Sequence, residues 1–358
     1  MFAEDTPDIA VFNYLKKGFR RQPTDYYLRP FYVEAEKVIG FNKPGNCILC
    51  LGSRLSLSVL LNYATKHTLT WDQRRKFFGF FWSTSYTHDS FNLNPEGDAA
   101  VLEFLKRYRS SRVANNTILM LISDHGLRWG SFRETYQGRL EERLPLLMFV
   151  LPNWFKRQYG RAVDNLRRNG AMLTTHYDLH DTLYDLADLQ RLDNDTIPTR
   201  TIDRSARSQS LFLPVDANRT CQRAGIPSTY CTCRDKVRTL QPKDRRYLKA
   251  AEALLEHINR LIKYARECAQ LSIDRLESGS IESSSMGDSL KQGDDSTSHI
   301  VVTMRLKPGN GLFEGTLTYH KDTSSYVVVG PVSRINEYGS QSFCVDDAKM
   351  KLYCFCRQ

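Results

Sequence analysis

The sequence predicts an α/β fold: a mostly parallel sheet covered by helices, followed by a smaller C-terminal subdomain of one helix and an antiparallel sheet. Three observations carry this expectation. Up to about residue 215, short apolar runs alternate with segments whose apolar residues recur at helical spacing. After residue 216 the alternation gives way to a cysteine-rich stretch and one long amphipathic segment. From residue 300 the chain breaks into short β-rich runs separated by Gly, Asn and Asp. The expected organisation is an α/β domain over 1–215, a cysteine-rich loop and long helix over 216–276, a flexible linker over 277–299 and an antiparallel β subdomain over 300–358.

Each element has its own signal. "SRLSLSVLLNYATKH", 53–67, spaces its apolar residues as a helix does. The aromatic run within "RKFFGFFWSTSYTHDS", 75–90, suits a strand that ends in polar residues, and "GDAAVLEFLKRYRSSR", 97–112, reads as a helix. "TILMLIS", 117–123, is short, rich in Ile and Leu and soon followed by Gly126, the pattern of a strand buried on both faces. "LPLLMFVLP", 144–152, repeats that pattern between prolines. "YGRAVDNLRRNG", 159–170, is a helix stopped by Gly170, and "DLHDTLYDLADL", 178–189, carries Leu179, Leu183, Leu186 and Leu189 on one stripe. Tyr247, Ala251, Leu254, Ile258, Leu261 and Ala265 predict a helix over roughly 243–276. "HIVVTMRL", "LFEGTLTYH", "SYVVVGPVSRI" and "KLYCFC" predict the strands of the antiparallel sheet.

Composition excludes several classes. The net charge of +10 is spread along 358 residues without the dense basic face of a nucleic-acid protein, so no nucleic-acid partner is expected. No run of 18 apolar residues offers a membrane span, and "MFAEDTPDIA" has neither the basic start nor the apolar core of a signal peptide. Nine cysteines, seven of them after residue 220, argue nevertheless for an oxidising compartment. Their irregular spacing, Cys231-x-Cys233 and Cys354-x-Cys356, suits disulfides better than zinc. The expected pairs are long-range, with a link between the 221–233 loop and the terminal strand. Asn-x-Thr triplets at Asn115, Asn194 and Asn218 agree with a secretory route. The expected location is the extracellular space or the secretory-pathway lumen, with any leader or membrane anchor lying upstream of Met1.

One polar constellation stands out. Asp124 and His125 follow the apolar run at 117–123, where open α/β sheets bind ligands, and together they offer oxygen and nitrogen to a divalent cation. His88 follows the aromatic strand, and His176 precedes the Leu-striped helix. Ordinary roles compete: a polar turn for Asp124, a hydrogen bond to Asp89 or a turn carbonyl for His88, a helix N-terminus for His176. His180, one turn beyond His176, is peripheral.

"SDHG" followed by "TTHYDLHDTLYDL" resembles the alkaline phosphatase superfamily. "AEDTPDIAVFNYLKKGFRRQPTDYYLRPF", "SYTHDS" and "VSRINEYGSQSFC" resemble its sulfatase-like branch in animals, a domain of unknown function, and the likeness covers nearly the whole chain. The resemblance implies a sulfatase-like sheet whose N-terminal strands lie upstream of residue 1. It implies that Asp124 and His125 bind a divalent metal (Zn, Ca, Mg or Mn), and that His88 and His176 meet metal or the anionic group of a phosphate- or sulfate-ester substrate. Pyrophosphatase-type members carry an Asp four residues before the middle His; Thr84 stands there in this chain. The family's nucleophile and its own Asp ligand are expected upstream, so no catalytic residue is assigned here. The expected function is the C-terminal part of a metal-dependent ester hydrolase or transferase, inactive as this piece. The alternative is a non-catalytic, disulfide-bonded secreted binding protein that keeps the fold.

Overall fold

A computed structural model describes the chain except residues 15, 43–47, 73–74, 204, 285–298, 321–322 and 358. The protein is a mixed α/β chain with a parallel sheet, helices and a separate antiparallel sheet, and it divides into two compact units.

The first unit comprises Met1–Leu121 and Leu147–Arg157. Its parallel pair joins the strands Phe2–Glu4 and Phe80–Trp82, with Ala3 opposite Phe81. Phe2 stacks on Tyr27 and Phe80 at 5.5 and 5.6 Å. Pro30 opens the helix Arg29–Val38, which buries Tyr32 and Ala35. The helix Ser56–Trp71 buries Leu57, Leu60, Ala64 and His67, a run of three- and four-residue steps that makes one inward face. Next to it lies Asn94–Ser110, where Gly97 meets the Leu57 side chain. Met1, Ala3, Leu28, Tyr32, Ala35, Leu51 and Leu60 form the core between these elements.

The strand expected at 117–123 is Leu119–Ile122, paired with Leu147–Val150. It is not buried on both faces: all four of its residues are half-buried, and Met148 and Val150 on its neighbour are exposed. The sheet here has two strands, and a two-stranded ribbon cannot cover its own faces.

The second unit comprises Ile122–Leu146 and Gln158–Gln358. Its sheet runs in the order 325–328, 311–320, 299–307, 272–284, 234–240, every pairing antiparallel, with Ser333–Arg334 also paired to 311–320. The helix Arg245–Ile262 packs on one face through Tyr247, Ala251, Leu254 and Ile258. Two glycines make room for it: a Cβ on Gly279 would lie 2.9 Å from the Tyr247 ring, and one on Gly315 would run into Leu254. The other face meets a buried ionic cluster. Arg133 and Arg143 each place a guanidinium nitrogen 2.9 Å from Glu314 Oε1, and Arg139 reaches Glu282 at 2.6 Å.

Three expectations fail in this unit. The helix expected to run to residue 276 ends at Ile262, and residues 272–284, assigned to helix and linker, are a strand. Asn259 turns the chain back by accepting from the Leu271 amide and donating to its carbonyl, both at 2.9 Å. The rest of the expected linker, 285–298, lies outside the described residues. "KLYCFC" is no strand either: Ala348–Lys351 is a short helix capped by Asp347, and two disulfides fix the cysteines that follow. The disulfides are Cys221–Cys231, Cys268–Cys354 and Cys344–Cys356, so the 221–233 loop closes on itself instead of on the terminal strand. Cys50 and Cys233 remain thiols, and Cys47 lies outside the described residues. Among the described residues no helix is long and apolar enough to cross a membrane.

Candidate functional site

In the second unit, the chain leaves the strand at Ser123, whose amide donates to the Leu146 carbonyl while its Oγ accepts from the Leu146 amide. Gly126 then passes against the end of the helix Tyr136–Arg143, its amide donating to the Glu142 carbonyl. A Cβ at this position would strike the Glu141 carbonyl, so only glycine allows the approach. Asp124 and His125 are held between these two anchors.

The His125 ring is oriented by its neighbours. Nδ1 lies 2.7 Å from the Gly126 carbonyl oxygen, which can only accept, so Nδ1 carries the proton. The lone pair of Nε2 then faces Asp124 Oδ2 at 3.3 Å. Two acceptors at that distance repel unless a positive centre lies between or beside them. Burial, together with Arg128, pulls the His125 imidazole below its usual range, which opposes a second proton on the ring. A divalent cation is the other candidate. Oxygen and nitrogen ligands about 2.1 Å from one ion stand roughly 3.0–3.4 Å apart in octahedral or tetrahedral geometry, and the observed spacing lies in that range. The carbonyl behind Nδ1 is the kind of outer partner that fixes a metal-binding tautomer.

His176 begins the helix His176–Ala187, and its Nε2 donates to the Ser123 carbonyl at 2.8 Å. A capping box holds that helix end: the Thr175 amide donates to Asp178 Oδ2 at 2.7 Å, and the Thr175 hydroxyl accepts from the backbone at Asp178. Asp178 is fully buried and also takes the Arg219 guanidinium at 2.9 and 3.0 Å. The structure thus brings His176 to the residue beside Asp124. It does not gather Asp124, His125 and His176 into one ligand set. Among the described residues, the groups of three possible ligands within 4.8 Å are both made of cysteines. His180 stays on the exposed face, beside Asp181 and Tyr184.

His88 belongs to the first unit. Its Nδ1 lies 2.9 Å from Asp89 Oδ1, and its amide donates to the Thr84 carbonyl. The residues at the start of this turn surround a carboxylate that sequence reasoning missed. Asp5, fully buried at the end of Phe2–Glu4, accepts from the Ser83 and Ser85 hydroxyls at 2.6 and 2.7 Å and from the Thr84 and Ser85 amides at 2.8 and 3.3 Å. Thr84 gives its amide to this carboxylate. Glu4, beside Asp5, is also buried; burial pushes its carboxyl up to about 7, although the Val11 amide donates to Oε1. The signal for Asp5 was a carboxylate after an apolar run, but "MFA" is too short to declare a strand. The signal for Asp178 was the Thr-x-x-Asp spacing of a capping box.

The chain is therefore an α/β protein that carries carboxylates and imidazoles where its strands end and its helices begin. Residues 1–277 match a family described as a protein of unknown function, DUF229, and the chain belongs to that family. Neither a curated protein nor a solved structure matches it.

Proposed function

We propose that the chain is part of a metal-dependent hydrolase or transferase of the sulfatase-like class, acting on phosphate or sulfate esters outside the cell or in the secretory lumen. The observation that carries this reading is the Asp124–His125 pair, whose ligand atoms stand 3.3 Å apart with the outer ring nitrogen committed to a carbonyl. Asp124 and His125 would hold the ion, which lowers the pKa of a bound oxygen nucleophile and offsets charge on the transferred group. His176, fixed beside them, is proposed to meet the ester's anionic oxygens. Three disulfides are compatible with the location. A second reading, a non-catalytic binding protein of the same fold, is favoured by one observation: His176 Nε2 is already spent on the Ser123 carbonyl.

Calorimetric titration with Zn²⁺, Mn²⁺, Mg²⁺ and Ca²⁺ tests the metal site. Wild type should bind at least one of them, and Asp124→Ala and His125→Ala should each lose on the order of tenfold or more in affinity. Equal binding by wild type and both variants refutes the site. Turnover of p-nitrophenyl phosphate or sulfate by protein purified from its native source, lost in Asp124→Ala, selects the enzyme; metal binding without turnover selects the binding protein.

A further inference from the structure

The loop before the edge strand Arg234–Leu240 contains three cysteines. Cys221 and Cys231 are buried and form a disulfide, while Cys233 is a half-buried thiol. All three sulfurs lie within 4.8 Å of one another. A thiol that close to a disulfide can serve as an internal nucleophile once it is deprotonated and aligned with the S–S axis. The C-terminal cysteines provide a contrast. Cys344 Sγ lies 3.7 Å from Cys354 Sγ, but each belongs to a closed disulfide, so no thiol is present there to attack.

We propose that Cys221, Cys231 and Cys233 form a thiol–disulfide exchange site in which Cys233 is the attacking thiol. The Cys233 thiolate attacks Cys221 Sγ, the Cys233–Cys221 bond forms, and the Cys221–Cys231 bond breaks. Cys231 leaves as a thiolate and takes up the proton that Cys233 released. No external oxidant or reductant is consumed. The new loop is two residues longer, and chain entropy changes the equilibrium by a factor of only about 1.3. Local geometry therefore sets the balance. That geometry is anchored on both sides: the Thr229 hydroxyl donates to the Val329 carbonyl at 2.7 Å, and Cys233 leads directly into the sheet. Exchange moves the covalent link from Cys231 to the residue that precedes the edge strand. It also exposes a different thiol to an external disulfide, which makes the site a candidate for mixed-disulfide formation.

The test is pulse alkylation with N-ethylmaleimide of the oxidised full chain held at pH 8, followed by acid quench and non-reducing peptide mapping. Cys231 and Cys233 share a tryptic peptide, and fragment ions at Thr232 tell their labels apart. Wild type should show two isomers, one labelled at Cys233 and one at Cys231 with a Cys221–Cys233 link. Cys233→Ser should abolish the Cys231 label. In a glutathione redox buffer, where glutathione disulfide is the oxidant, Cys231→Ser should join Cys221 to Cys233. No Cys231 label in wild type, or the same Cys231 label in Cys233→Ser, overturns the proposal. So does a Cys231→Ser chain with a wild-type circular dichroism spectrum and both remaining thiols labelled; if that variant fails to fold, the comparison of wild type with Cys233→Ser decides.

Discussion

His176 donates to the Ser123 carbonyl at 2.8 Å across a sequence separation of 53, and so ties a helix N-terminus to the turn that carries Asp124 and His125. One exposed hydrogen bond contributes about 1 kcal/mol, so His176→Ala should barely move global stability. It should instead speed hydrogen exchange at the amides of 123–126, and His176→Gln, which keeps a donor, should restore part of the protection. Unchanged exchange in His176→Ala would show that Leu146 and Glu142 hold the turn unaided.

Asp5 is the acceptor for two hydroxyls and two amides from Ser83–Ser85, all in the first unit. Asp5→Ala leaves those buried donors without a partner and should cost about 3–5 kcal/mol. Asp5→Asn should cost less, since one oxygen still accepts while the new NH₂ faces donors. Urea unfolding checks the order; an Asp5→Ala chain as stable as wild type would mean that water replaces the carboxylate at no cost.

Glu4 makes the stability of the first unit depend on pH. Burial raises its carboxyl from 4.5 to about 7, with Asp5 adding to the rise and Val11 and Arg29 opposing it. Between those values the folded chain holds a proton that the unfolded chain releases. Stability from this group is therefore complete below pH 4.5 and falls as the pH rises to about 7. Glu4→Gln removes that slope and, at pH 8, should stabilise the chain by up to about 3 kcal/mol. The measurement is the difference between variant and wild type at pH 5 and pH 8; a difference that does not grow with pH sinks the assignment.

Much of the fold was legible because its elements obey one period each. Ile300, Val302, Met304 and Leu306 alternate onto the core, and Leu57, Leu60 and Ala64 repeat at helical steps. The strand 272–284 was not legible. Ile273, Leu276 and Ile281 all pack on the core, yet the three- and five-residue gaps between them break the period of two. Register shifts against 299–307 account for the break near Leu276, because each irregularity reverses the inward face. Gly279 adds to the disguise: it reads as a linker residue and in fact clears space for Tyr247. Asp124, His125, His88 and His176 were singled out from strand and helix ends, but Asp5 and Asp178 were not, since a hub of hydrogen bonds from distant residues has no local pattern.

Glu314 should be the costliest side chain to change on the sheet face opposite the helix Arg245–Ile262. Burial alone would raise its pKa, but Arg133, Arg139 and Arg143 overcome this and hold it below the usual carboxylate range. Glu314→Gln leaves the buried Arg133 and Arg143 guanidinium groups short of an anion, and removing one partner from such a cluster costs about 3–5 kcal/mol. Chemical denaturation of the variant gives the value, and a loss below about 1 kcal/mol would show that Glu142, whose Oε2 lies 2.5 Å from Arg133 Nε, neutralises Arg133 sufficiently.

Cys268–Cys354 and Cys344–Cys356 share the C-terminal core but close loops of very different length, 86 and 12 residues in sequence separation. In the chain-entropy model the longer link removes about 4.6 kcal/mol of unfolded-state freedom and the shorter about 2.8 kcal/mol. Both pairs end among buried residues, with Cys268, Cys354 and Cys356 within the cluster that also holds Tyr353 and Ile262. Replacing Cys268 and Cys354 together by Ala should therefore destabilise the second unit more than replacing Cys344 and Cys356 together, by about 2 kcal/mol. Double replacement avoids stranded thiols that would re-pair with the neighbouring disulfide, whose Cys344 sulfur stands 3.7 Å from that of Cys354. The comparison is made by guanidinium unfolding of the two double variants against wild type. If the short-loop variant proves the weaker, native packing around Cys344 and Cys356 outweighs loop closure, and the stability of this end of the chain comes from the folded side of the equilibrium.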